Sequence, residues 1–146
     1  MKEIARSAIV EHSTAQMYAL VDDIETYPRF LPWCVDARVE PGSSPKRATL
    51  TVGVGGIRQS FTTANENQPA RAIHMRLVRG PFREFSAAWR FTPLAEQACE
   101  IEFRMRYEFA SRALAKLLEP LFNQIADTMV DAFTRRADQL YRGDAR

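Results

Sequence analysis

Residues 111–141 read SRALAKLLEPLFNQIADTMVDAFTRRADQLY. The large apolar side chains here, among them Leu114, Leu117, Leu118, Leu121, Phe122, Ile125, Met129, Val130, Phe133 and Leu140, recur in steps of three and four. That spacing gathers them on one face of an α-helix. Arg112, Lys116, Asp127, Asp131, Arg135 and Asp138 take the opposite face. A helix of about 30 residues reaches about 45 Å, the width of a small domain. It needs a broad apolar surface to lie on, and the preceding chain supplies one.

Just upstream, Cys99, Ile101, Phe103, Met105, Tyr107 and Phe109 alternate with Glu100, Glu102, Arg104, Arg106 and Glu108. A period of two with one dry and one charged face predicts a half-buried strand. The same alternation predicts strands through Val35–Val39, Arg47–Val54, Ile57–Thr63, Ala72–Val78 and Glu84–Thr92. Gly55-Gly56 between two such runs marks a tight hairpin, since both central residues of that turn need positive φ. Nearer the N-terminus, Lys2–Glu11 reads as a first strand. Ser13-Thr14-Ala15-Gln16 matches a capping box, with Ser13 as N-cap of a helix carrying Met17, Leu20 and Val21. Pro28 and Pro32 then limit residues 24–34 to one short helical turn and an aromatic loop.

The predicted class is α+β: a curved antiparallel sheet of about seven strands around a long C-terminal helix, with two short helices after strand 1. Seven strands make a sheet about 30 Å wide, whereas a helix is about 10–12 Å across. The sheet must therefore curl around the helix. The space between them is filled by side chains or left as a pocket. Pro120 predicts a kink or restart near Glu119, a joint that would let the helix act as a lid.

At 146 residues the chain is read as one domain, 1–146, large enough for a core without staples. No apolar run is long enough to span a bilayer, and the N-terminus has no signal core. Two cysteines cannot build a disulfide framework or a zinc site. These features predict a cytoplasmic protein with reduced thiols, with peripheral contact at the inner membrane as a further placement. Seventeen of the 20 basic residues are arginine. Arginine suits phosphate recognition, although the net charge of +2 does not call for nucleic acid, and no DNA partner is expected.

Motifs for nucleophilic, phosphate-loop, dinucleotide or metal chemistry are absent from the sequence. Neither a catalytic residue nor a metal ligand nor a cofactor is assigned, and the prediction is a non-enzyme. His74 falls on the polar phase of a strand and Cys99 on the dry one. The charged sheet face mixes Arg76, Arg90, Arg104 and Arg106 with Glu100, Glu102 and Glu108, which reads as a solvated face. Two stretches stand out for contact: Arg79-Gly80-Pro81-Phe82-Arg83 in a predicted turn, and the aromatic wall Tyr27–Trp33.

The pattern Tyr27-Pro28-x-Phe30-Leu31-Pro32-x-Cys34, with Gly80-Pro81-Phe82-Arg83, Trp89-x-Phe91 and the amphipathic final helix, resembles the coenzyme Q-binding START-like proteins, and among them the ribosome association toxin branch. The resemblance covers nearly the whole chain and implies a helix-grip fold. It implies first a ubiquinone-like or other polyisoprenoid lipid held between sheet and helix in support of respiration. On that reading Phe30, Leu31, Trp33, Phe82, Trp89, Phe103, Tyr107, Leu121, Ile125 and Met129 line the pocket. The alternative it implies is binding to the large ribosomal subunit, blocking subunit association and translation. Arg79, Arg83, Arg135 and Arg136 are then the surface contacts, for ribosome or membrane. More distant relatives are polyketide cyclases or aromatases, a third reading that needs a buried polar group near Tyr107 or His74.

Overall fold

The computed structural model describes residues 1–141. Strand β1 (Lys2–Val10) leads into helix α1 (Thr14–Asp22), a 3-10 helix (Ile24–Arg29) and six strands: β2 (Cys34–Val39), β3 (Lys46–Val54), β4 (Ile57–Gln68), β5 (Ala72–Arg79), β6 (Phe82–Ala95) and β7 (Ala98–Phe109). Helix α2 (Arg112–Tyr141) is the last described element. All seven strands form one antiparallel sheet in the order β1-β7-β6-β5-β4-β3-β2. The meander β2–β7 needs only short turns, and β1 completes it by pairing beside β7.

Local signals explain the element ends. The Ser13 capping box forms: Gln16 N donates to Ser13 Oγ over 3.1 Å and Ser13 N donates to Gln16 Oε1 over 3.0 Å. Gly55 and Gly56 hold φ of +57° and +85° and close the β3–β4 hairpin between Val54 and Ile57. Ser111 caps α2, accepting from Leu114 N at 3.1 Å.

The sheet curls until β4 and the helix meet: the Phe61 ring lies 6.0 Å from Phe122 and 5.8 Å from Phe82. Phe133 is fully buried, edge-on to Tyr27, Phe30 and Trp89. Apolar burial on this scale, at about 25 cal/mol per Å², supplies most of the driving force.

Four expectations need correction. Helix α2 runs unbroken through Pro120, with no restart at Glu119. Pro120 and Lys116 both lie on the exposed side, so the hydrogen bond proline cannot make is lost at a solvated turn. Strand β4 continues past Thr63 to Gln68. Phe82 belongs to β6 and is buried; it is not a turn residue. An irregularity in β2 between Cys34 and Asp36 turns Val35 out to solvent, against the simple alternation.

Candidate functional site

The space between sheet and helix is an apolar pocket floored by β3–β7 and roofed by α2. Tyr27, Trp33, Phe61, Trp89, Phe103 and Phe122 line it, with Ile125 and Met129 from the helix. Its volume is about 60 Å³. A second hollow of about 30 Å³ adjoins it, sharing Tyr27, Leu50, Thr63 and Met75. Ligand pockets generally run from about 300 to 1,000 Å³, and one water occupies about 30 Å³. The aromatic rings have filled the grip. A quinone ring or isoprenoid tail enters only if side chains or α2 move.

Of the ten residues predicted to line this space, Trp33, Trp89, Phe103, Ile125 and Met129 do so. The other five lie elsewhere. Phe30 packs edge-on against Tyr27 and Phe133 beneath the guanidinium of Arg136, 5.4 Å from its ring. Leu31 and Leu121 are buried in the surrounding core. Phe82 and Tyr107 join Phe109 and Phe122 in an aromatic cluster toward the start of the helix. Tyr27, Phe61 and Phe122 line the pocket as well although they are not among the ten, Phe61 and Phe122 from the dry faces of β4 and α2.

Polar groups within the grip are few and mostly paired. Trp33 Nε1 donates to Thr128 Oγ1 over 3.0 Å. Thr63 Oγ1 donates to Asn65 Oδ1 over 2.7 Å, and Tyr27 Oη donates to the carbonyl of Val21. Burial, with Asp22 adding to it, holds the Tyr27 phenol above its ordinary range. The Tyr107 hydroxyl is buried without a partner, but Tyr107 does not line the pocket. His74 points outward. Neither group supplies the acid–base pair that a cyclase reading requires inside the cavity.

Cys34 and Cys99 are free and buried. Burial, then the nearby Asp36 carboxylate, pushes the Cys34 thiol up to about 11, and burial raises Cys99 as well. Thiols so disposed are poor nucleophiles at neutral pH. Among the described residues no three His, Cys, Asp or Glu side chains converge as a metal site.

The four predicted surface arginines do not form one patch. Arg79 is exposed with no ion pair among the described residues, at the loop joining β5 and β6. Arg83, close by, is held by Glu108 at 3.2 Å. Arg135 pairs with Asp131 at 3.0 Å, and Arg136 covers Phe30. These last two lie more than 20 residues along α2 from its start, about 35 Å away along the axis.

The family model for polyketide cyclase / dehydrase and lipid transport proteins matches residues 10–134. The chain is 43% identical over 142 residues to a protein of Vibrio cholerae named ribosome association toxin RatA, covering 97% of this chain and 99% of that one. It is 27% identical over 144 residues to a mitochondrial coenzyme Q-binding protein, COQ10 homolog B of Xenopus laevis, covering 95% of this chain and 59% of that one. In structure it resembles the Zhui aromatase/cyclase of Streptomyces sp. R1128, with a TM-score of 0.81 over 94% of each chain at 15% identity, a likeness of fold alone. The curved seven-stranded sheet gripping one long helix and these matches agree: the chain belongs to the polyketide cyclase / dehydrase and lipid transport family, in its START-like, helix-grip form and alongside the RatA proteins.

Proposed function

We propose that this protein is a non-enzymatic ribosome-associating factor that binds the large ribosomal subunit and restrains subunit joining. One observation carries the reading: the end-to-end match, at 43% identity, to a protein named for ribosome association. The apolar lipid that the sequence put first moves to second place. The likeness to a coenzyme Q-binding protein is more distant, and a pocket of about 60 Å³ is too tight for such a ligand without rearrangement. The family's lipid-transport description keeps that second reading alive, as a minor open state of the grip. Sucrose-gradient profiles of host extract, with and without excess protein, test the first reading. Lipid extraction and native mass spectrometry of protein from its own host test the second.

A further inference from the structure

Two hollows larger than the inner pocket lie on the outside of the grip. On the outer sheet face, β6 contributes Ser86 and Ala88, while its neighbours contribute long basic side chains. The pairing register sets out two rows across the sheet. One runs Ala64–Arg76–Ser86–Arg106–Glu3, and the next runs Glu66–His74–Ala88–Arg104–Ala5. Residues paired across antiparallel strands share a face, so His74 and Arg76 on β5 stand opposite Arg104 and Arg106 on β7. Two strand spacings, about 10 Å, separate these walls, and the small β6 side chains form the floor between them.

The result is a furrow of two joined hollows, about 370 and 400 Å³, which share Arg76, Ser86 and Arg106. Toward the β5–β6 loop the two strands part, as the pairing shows. The β5–β6 ladder stops at Arg76 and Ser86; beyond it Leu77 and Arg79 stay with β4, while Phe82 and Phe85 go with β7. Arg83 adds a further basic side chain at that end.

Charge is sorted along this furrow in a way the mixed linear pattern conceals. Arg76, on the wall of both hollows, has no ion pair among the described residues. Arg106 pairs with Glu3 through Nε at 2.7 Å, and Arg104 with Glu102 through Nε at 3.1 Å. The Arg106–Glu3 pair is exposed, hence weak and exchangeable for a better anion, while Glu102 of the other pair is half-buried. Among the described residues the lining carboxylates are Glu66 in one hollow and Glu84 in the other. The apolar lining residues Met75, Leu77, Phe85 and Ala87 are buried or half-buried, and Met1 at the edge of one hollow is the one large apolar side chain of the described lining that is exposed, far less than the apolar face a bilayer would require.

We infer that this furrow seats an RNA phosphodiester backbone, with Arg76 and Arg106 gripping phosphates from opposite walls. Guanidinium forks suit phosphate oxygens, and among the described lining residues no Phe, Tyr or Trp ring is exposed, the His74 imidazole being the single exposed ring. Contact is therefore chiefly with the backbone, which carries no sequence information. The inference rests on the ribosome reading and adds to it the face that makes the contact.

The test uses the whole protein and large ribosomal subunits purified from its host, with R76E, the double variant R76E/R106E, and R38E as a control on the distant strand β2. Binding is followed by co-sedimentation over a salt series, and folding by thermal melts. The double variant should melt like wild type yet bind about tenfold or more weakly, with a salt slope smaller by about 1.5, while R38E binds as wild type. If wild type binds and the folded double variant binds equally well, the furrow assignment is wrong and the ribosome reading stands. If wild type does not sediment with large subunits, the reading falls and the inference with it. Wild type that ignores subunits but binds phosphatidylcholine/phosphatidylglycerol vesicles through Arg76 and Arg106 would replace RNA by a membrane as the occupant.

Discussion

Trp33 and Thr128 are 95 residues apart in sequence, yet the indole Nε1 donates to the threonine Oγ1 over 3.0 Å. Thr128 Oγ1 in turn donates to the carbonyl of Gln124 at 2.7 Å. Trp33 is 1% exposed and ends the aromatic loop that precedes β2. The bond ties that loop to the middle of α2, so the helix is fastened at its centre. A freely jointed lid is a poor description of it.

That fastening predicts the effect of Thr128→Val. The isosteric change keeps the volume and strands the indole N–H, which costs about 1–3 kcal/mol. Urea unfolding should show the loss without a change in slope. An unchanged midpoint would mean that the indole finds water and the clamp is dispensable.

At the C-terminal end of α2, His12 Nε2 and Asp138 Oδ1 lie 2.7 Å apart, with His12 only 6% exposed. Asp138→Ala leaves a buried ring nitrogen unpartnered. We expect a loss of about 1–3 kcal/mol and faster amide exchange confined to the last turns of α2 and the β1–α1 junction. Uniform exchange across the molecule would contradict a local clamp.

The filled pocket makes a packing prediction. Ile125→Ala removes a side chain that lines it and should cost about 2–5 kcal/mol. The enlarged space should then accept small apolar molecules, such as benzene, that raise the melting temperature of the variant more than that of wild type. A loss well below 1 kcal/mol would show that helix and sheet are loosely packed there.

Alkaline pH should weaken the fold in a set order. The Cys34 thiol rises from its ordinary 9.0 to about 11 in the folded chain, because burial disfavours the thiolate. The folded protein thus holds this proton longer than the unfolded chain. Its contribution is full below about 9 and is lost as pH climbs toward about 11. Urea midpoints followed through that window should fall, and Cys34→Ala should flatten the first part of the fall. Tyr27, also raised, carries the decline further. Rapid alkylation of Cys34 in the native protein at neutral pH would contradict its burial.

Much of this was legible in the chain because the strongest patterns are physical necessities. Strand β7, with every second residue apolar, and α2, with its stripe, can each satisfy their burial in only one way. The far half of β4 was hidden for the opposite reason. Asn65 and Asn67 occupy inward positions, where Asn65 accepts from Thr63 and Asn67 donates to Asp22, so polar side chains stand where the pattern expects apolar ones. Gly80-Pro81 disguised Phe82 as a turn residue. The outer furrow was beyond reach in principle. It depends on which residue of β5 lies across which residue of β6 and β7, and register is a property of the assembled sheet.

The central claim is that this molecule works by contact with the large ribosomal subunit, and its most direct measurement is a sucrose-gradient profile of host extract in which the protein is followed by immunoblot. The account predicts the protein in the large-subunit fractions, with free subunits growing at the expense of joined ribosomes as its level rises. Protein that stays at the top of the gradient, beside an unchanged profile, would contradict it.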